Sequence, residues 1–165
     1  MSPFRPDIVA VWIFRAAEDG LPASILLIRR APGRLLPGLW QCVTGGVEAD
    51  ERVTEAALRE VQEETGLGPA DIEAFYDLDQ VTLFHEPSAD AVLSEAVFAI
   101  RVGAAAEAVI SHEHDDLRWV TPEDAAAIAV WPAYRESIGR IRDLLGDPER
   151  ARWLELDLDG QRLIR

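Results

Sequence analysis

The sequence is poor in cysteine, in positive charge and in uninterrupted apolar stretches. Its 165 residues include one cysteine, Cys42, so no internal disulfide can form, and nothing near it offers the Cys/His spacing of a structural zinc. Cys42 reads as a small buried hydrophobe. No apolar run approaches the ~18 to 20 residues of a membrane span, and the opening Met-Ser-Pro-Phe-Arg-Pro lacks the apolar stretch of a signal peptide. A cytoplasmic location is expected. Sixteen basic residues against thirty acidic ones give a net charge of -14, which argues against a surface for a nucleic-acid polymer or an anionic membrane. A polyanionic ligand would need cations between itself and the chain.

What is present is globular. Hydrophobic residues make up 48% and charged residues 28%, too apolar for a disordered chain and enough for a core without staples. One domain over 1–165 is the expectation, with no repeat or linker, as a monomer or homodimer. Residues 8–15 and 24–30 are β-branched and aromatic runs around Asp19-Gly20 and Pro22, which predicts two strands and a turn. A Pro/Gly-rich loop over 31–40 precedes a short segment holding Gly45-Gly46. From Glu51 to Thr65 there is no Gly or Pro, which predicts a helix stopped by Gly66 and Pro69. Strands are expected around 72–85, 91–102 and 117–120. Thr121 should cap a helix that starts at Pro122, and Tyr134, Ile138, Ile141 and Leu145 share a face of a further helix. The tail after Asp147 is of uncertain structure; Trp153 to Ile164 alternates around Asp159-Gly160 like a hairpin. This order of elements suggests an α+β or sandwiched mixed sheet.

The helix from Glu51 to Thr65 carries the chemistry. At ~100° per residue, Val53, Ala56, Ala57 and Val61 form a core-facing stripe, and Glu51, Arg52, Glu55, Arg59 and Gln62 fill the opposite sector. Glu60, Glu63 and Glu64 share the azimuth of the apolar stripe, so it becomes a carboxylate stripe in the last turn and a half. Three inward glutamates repel by roughly 3 kcal/mol per pair at ~5 Å and an effective dielectric near 20, at a helix end whose dipole prefers cations. Something positive must compensate. A hard divalent cation is the economical candidate, because Mg²⁺ takes carboxylate oxygens and is completed by substrate phosphates. Periodicity alone also allows a solvated run of surface charge.

The wider pattern decides between them. Gly45, Glu51, Arg59, Glu60, Val61, Glu63, Glu64, Gly66 and Leu67 occupy every specified position of the signature of the Nudix hydrolases, which this chain resembles over the box 45–67. The resemblance implies an α/β/α sandwich with a mixed sheet, and cleavage of a nucleoside diphosphate linked to another group by water attack at phosphorus with Mg²⁺ or Mn²⁺. It implies Glu60, Glu63 and Glu64 as metal ligands and possible base, a Gly45 carbonyl near the metal, and Arg59 with Glu51 as an ion pair bracing loop and helix.

Outside the box the chain is similar to the bacterial branch that hydrolyses dihydroneopterin triphosphate and dATP. The similar pieces are Leu27-Ile28-Arg29-Arg30, the run from Trp40 to Glu48, Glu113-His114 before Arg118-Trp119-Val120, and an alanine-rich helix before Trp131. This implies Glu113 as a further metal ligand or general base, and Arg29, Thr44 and Gly46 as substrate contacts. Arg29 and Arg30 alternate across a strand, so at most one should face the site, with Arg29 the choice. Trp12, Trp40, Tyr76, Phe84 and Trp131 could stack on a base or pterin, though strand aromatics are more often core. His112 and His114 have no cysteine beside them to make a zinc site. Where the pterin branch has polar residues after the tryptophan, this chain has Trp131-Pro132-Ala133-Tyr134, which weakens the carry-over of substrate. Three functions stay open: a pyrophosphohydrolase of a small phosphorylated metabolite (a nucleoside or pterin triphosphate, ADP-ribose, a dinucleoside polyphosphate or an oxidised dNTP), a non-catalytic nucleotide sensor, and a prenyl-diphosphate isomerase using Cys42.

Overall fold

The computed structural model describes residues 4–164. The chain runs β1 (Ile8–Ala16), β2 (Pro22–Arg30), β3 (Trp40–Gln41), β4 (Val43–Gly46), α1 (Val53–Thr65), a 3₁₀ turn (Pro69–Asp71), β5 (Ile72–Glu86), β6 (Ala91–Val102), β7 (His114–Val120), α2 (Pro122–Ile128), α3 (Pro132–Arg140), a π-helical turn (Ile141–Leu145), α4 (Pro148–Leu154) and β8 (Glu155–Leu156). The sheet follows the order β3-β2-β1-β6-β5-β8, with β4 paired to β1 and β7 to β2. β1 and β6 are parallel and the other pairs antiparallel. The mixed sheet between helices is the expected α/β/α sandwich.

Both faces of β1 are covered, which is why it reads as an unbroken apolar run. Val9, Val11 and Ile13 pack with Ala56, Ala57 and Val61 of α1. Ala10, Trp12 and Phe14 pack with Ala125 of α2 and Tyr134 and Ile138 of α3. One edge of β1 is shared: β2 pairs along its C-terminal end (Phe14 with Ile25), and β4 pairs along its N-terminal half (Val9 with Gly45). β2 meanwhile takes β3, with Arg29 opposite Trp40. Trp40 to Gly46 therefore fills the wedge between diverging strands, placing Gly45-Gly46 beside α1.

Local chemistry explains most boundaries. α1 begins two residues later than the composition suggests, because Glu51 stays in the loop with its carboxylate accepting from Glu48 N–H at 3.2 Å. Glu55 accepts from Arg52 N–H at 2.9 Å, satisfying an orphan donor at the helix entry. Gly66 ends the helix in the left-handed conformation (φ 69°). Thr121 caps α2 as expected, its hydroxyl accepting from Asp124 N–H at 3.1 Å. β7 starts at His114 rather than 117, because Arg29 pins the acidic residues Asp115 and Asp116 against the sheet.

The tail differs from the expected hairpin. Asp147, whose side chain accepts from Glu149 N–H at 3.0 Å, and Pro148 at the first helical position launch α4 instead, and Trp153 lies on that helix. The turn at Asp159-Gly160 survives only as a single bridge between Leu156 and Arg162, and β8 pairs with β5.

Trp12, fully buried and edge-on to Tyr134 at 5.2 Å, anchors the α3 side of the sheet. Trp12→Ala should lower the free energy of unfolding by about 3–5 kcal/mol in urea titrations. Val92→Ala, at a residue 66% exposed, should change it by less than ~0.5 kcal/mol.

Candidate active site

Arg59 sits at the centre of the site. Its Nε and Nη2 donate to the two oxygens of Glu51 at 2.6 and 2.9 Å, a bidentate pair. Nη2 also donates to the Gly46 carbonyl at 2.9 Å, and Nη1 to Glu60 at 2.6 Å and Glu63 at 3.2 Å. The Arg59 hydrogen bonds hold the Glu51 carboxyl below its ordinary value. One guanidinium thus ties the glycine strand, the loop after it and the helix together. Arg5 adds to this by donating to the carbonyls of Ala49, Glu48 and Glu51.

Glu60 lies directly over Gly45. A Cβ at position 45 would stand 1.9 Å from the Glu60 carboxyl carbon, so no other residue leaves this cradle intact. Burial pushes the Glu60 carboxyl up, against the pull of Arg59. One turn on, Glu64 is 5% exposed, and its Oε2 is buried with no hydrogen-bond partner. Burial first, then the neighbouring charges of Glu60 and Glu113, push its pKa up to about 8. Glu63 points outward, its side chain 59% exposed and held only by Arg59.

Glu113 reaches the site through the loop ahead of β7. Val109 N–H donates to the Thr65 carbonyl at 2.8 Å and Ser111 N–H to the Glu64 carbonyl at 3.1 Å. These bonds satisfy carbonyls at the end of α1, which has no basic residue in its last turn. They also carry Glu113 to where its charge raises both Glu60 and Glu64. Its side chain is 46% exposed, with Arg34 the nearest cation at 3.8 Å.

The structure therefore brings Gly45, Glu60, Glu64 and Glu113 together, with Arg59 and Glu51 as the brace and Glu63 at the rim. Among the described residues, no three carboxylate, histidine or cysteine side chains converge on one point in this conformation, since Arg59 holds both Glu60 and Glu63. The residues nonetheless fit a hard divalent cation. All donors are oxygens, Glu64 has a buried acceptor with no donor, and mutual repulsion of the carboxylates is what a cation relieves.

The remaining candidates are arranged as follows. Arg29 donates to Asp115 at 2.7 Å and lies over the Trp40 ring at 5.5 Å. The arginine whose charge reaches Glu64 is its neighbour Arg30, which donates to the Leu35 carbonyl. Thr44 is half-buried, its hydroxyl 3.4 Å from the Gln41 amide, and Gly46 offers its carbonyl to Arg59. Gln41 and His114 are buried 3.5 Å apart, and burial holds the imidazole below its ordinary value. His112 is exposed. Cys42 is buried, and burial together with Glu95 and Glu64 pushes its thiol well up, the reverse of what a nucleophile needs. Trp12 and Tyr76 are core, whereas Phe84 and Trp131 line a recess with Glu95. Arg30 and Glu95 lie outside the expected set. Each has a signal in the sequence, a second arginine on a strand and an acid inside an apolar run, but neither signal has a direction until the strands are paired.

Three comparisons bear on this geometry. The family model described as NUDIX domain matches residues 4–141. An octanoyltransferase of Myxococcus xanthus is 35% identical over 140 residues, covering 84% of this chain and 36% of that one, so the chain spans about a third of its length. The nucleoside triphosphatase NudI of Escherichia coli is 31% identical over 127 residues, covering 74% of this chain and 89% of that one. Among solved structures, the dihydroneopterin triphosphate pyrophosphohydrolase of E. coli superposes with a TM-score of 0.70 at 24% identity, over 84% of this chain and 95% of that one, a likeness of fold.

The buried carboxylate sets a pH dependence of stability. Glu64 titrates near 8 in the folded chain against an ordinary 4.5. Below the lower value both states hold the proton and nothing is lost. Between the two values the unfolded chain releases its proton first, so stability falls as pH rises. In EDTA the Tm should decline from pH 5 to 8, with Glu95, raised to about 7, acting in the same sense. Glu64→Gln should flatten the decline; an unchanged slope in thermal melts of that variant would contradict the assignment.

Proposed function

The chain belongs to the NUDIX family, and from that premise we propose that it is a metal-dependent pyrophosphohydrolase of a nucleoside or pterin triphosphate. The observation that carries the reading is the buried, partnerless Oε2 of Glu64 beside the charges of Glu60 and Glu113. Glu60, Glu64 and Glu113, with Glu63 at the rim and the Gly45 carbonyl, would hold Mg²⁺ or Mn²⁺. Bound there, the cation supplies the charge neutralisation that lets an acidic site accept a polyphosphate.

The chain's own residues do the rest. Arg59, fixed by Glu51, keeps Glu60 over Gly45 and withdraws from substrate phosphates, since its donors are all taken up by protein oxygens. Glu113, more exposed than Glu60 and Glu64 and weakly paired, accepts the proton of the attacking water. A bond forms from that water's oxygen to phosphorus as the bridging P–O bond breaks, giving a monophosphate ester and pyrophosphate. Arg29, Thr44 and Gly46 are the substrate contacts, with Arg30 the arginine nearer the carboxylates. The substrate is a small phosphorylated molecule and not a nucleic-acid polymer. No helix among the described residues is long and apolar enough to cross a membrane, and the proposal places the chain in the cytoplasm, folded as one domain, as a monomer or homodimer.

The test is a panel of dihydroneopterin triphosphate, dNTPs, 8-oxo-dGTP, ADP-ribose and dinucleoside polyphosphates with Mg²⁺ or Mn²⁺, read as phosphate or pyrophosphate release. Glu64→Gln should lower turnover by orders of magnitude while the variant still melts cooperatively; near-wild-type turnover would refute the metal role. Gly45→Ala should cost about 100-fold by displacing Glu60. Tight binding without any metal-dependent release would favour a sensor domain instead.

A further inference from the structure

The loop between β2 and β3 has a built structure of its own beside the carboxylates. Arg30 N–H donates to the Leu39 carbonyl at 3.0 Å and Gly38 N–H to the Arg30 carbonyl at 2.9 Å, which closes the loop at its base. The Arg30 guanidinium reaches inside it and donates to the Leu35 carbonyl. Arg34 N–H donates to the Ala31 carbonyl at 3.3 Å, across a Pro-Gly turn in which Gly33 has a φ of 84°. Two residues past Arg34, Leu36 stands at φ 55°, a conformation that is costly for a residue with a Cβ and persists only where its surroundings impose it. Ala31 N–H donates to the Glu113 carbonyl at 2.9 Å, so this loop and the one carrying Glu113 are joined through their backbones.

This arrangement turns one side chain toward the site. Pro32, Gly33, Leu35, Leu36 and Pro37 are exposed, and Arg34 among them is partly covered. Its guanidinium lies 3.8 Å from the Glu113 carboxylate, and its charge is felt at His114. Among the described residues it donates no side-chain hydrogen bond, so its N–H groups are open to a ligand. The neighbouring arginines are committed: Arg59 to Glu51, Glu60, Glu63 and the Gly46 carbonyl, Arg29 to Asp115, and Arg30 to Leu35.

The contact with Glu113 is weak. The two side chains are 38% and 46% exposed and stand beyond hydrogen-bond distance, a setting in which an ion pair adds little to stability. A loop strained at Leu36 gains almost nothing from it. The pair makes sense as a stand-in for ligands of opposite charge. Glu113 adjoins carboxylates whose repulsion a cation relieves, and Arg34 carries the planar fork that grips a phosphate through two parallel hydrogen bonds. In a chain of net charge -14, an uncommitted guanidinium at the acid cluster is the group a polyanion meets first.

We propose that Arg34 is a phosphate-binding residue kept in place by Glu113: paired with it in the empty site, and released to the substrate's phosphate chain when Glu113 turns to a divalent cation. The order follows from charge. Arg34 competes with a cation for Glu113 and is repelled from it once two positive charges stand there, while the phosphate chain attracts both. Cation and phosphate therefore tighten each other's binding, and by linkage the coupling is the same whichever is added first. The proposal rests on the metal-dependent hydrolase reading for its place in a reaction, but the exchange itself is measured by binding.

The probes are Mn²⁺ alone and inorganic pyrophosphate in saturating Mn²⁺, titrated calorimetrically into the whole chain. Arg34→Ala should bind Mn²⁺ two- to threefold more tightly than the wild type, because the competing guanidinium is gone, and pyrophosphate about tenfold more weakly. Opposite signs are the signature, since a residue that only shaped the loop would weaken both. The pyrophosphate loss should persist at 0.5 M NaCl, where a field acting over more than a few ångströms is screened, and the variant should melt cooperatively at the wild-type temperature. An unchanged pyrophosphate affinity, a loss that vanishes with salt, or a parallel loss of Mn²⁺ affinity would overturn the proposal even if metal-dependent hydrolysis is found. So would a wild-type chain that binds no pyrophosphate. Binding of pyrophosphate that depends on Arg34, in a chain that hydrolyses no member of the substrate panel, would uphold the role of Arg34 and overturn the hydrolase reading.

Discussion

A buried carboxylate with one oxygen left without a donor governs this molecule. Glu64 is packed into the end of α1 where water cannot solvate it, and its nearest charged neighbours include two more acids, Glu60 and Glu113. A structure selected for stability alone would replace it with an apolar side chain, because an unpaired buried acid is among the more expensive features a core can hold. Retaining it makes sense where a cation enters. A cation there would be bound with energy released from repulsion, and the acidic chain would gain affinity for a polyanion it otherwise repels.

Arg59 is the counterweight. It neutralises part of the cluster, but its position is dictated by Glu51 and the Gly46 carbonyl rather than by the cluster itself. The strand ending in two glycines, the loop and the helix are locked into one body before any ligand arrives, and Glu60 is seated in the space that Gly45 leaves vacant. Preorganisation of this kind lowers the cost of assembling a charged site at the moment of reaction. The sharing of one edge of β1 by β2 and β4 makes it possible, since only a strand inserted into a wedge can reach both the sheet and the helix end.

Glu64 and Glu95 are a pair of a different sort. They lie on opposite faces of the sheet and both are buried, one oxygen of Glu64 has no hydrogen-bond partner, and the buried Cys42 thiol feels the charge of both.

The sequence by itself determined the parts whose signals are local. Glycine and proline punctuation, the caps at Thr121 and Gly66, the apolar run of β1 and the spacing from Gly45 to Leu67 are short-range features, so the helix carrying the glutamates, the strands and the sandwich were legible from them. Helical periodicity also turned Glu60 and Glu64 inward, but it placed Glu63 with them, and only the position of Arg59 showed that Glu63 faces out. Contacts between distant segments were decided by the tertiary structure alone. The backbone bonds from Val109 and Ser111 that bring Glu113 to α1, the choice between Arg29 and Arg30, the helix in the tail and the meeting of Glu95 with Trp131 all depend on which strands pair and in what register. Register sets the direction of every side chain at once, and a chain read one residue at a time carries no record of it.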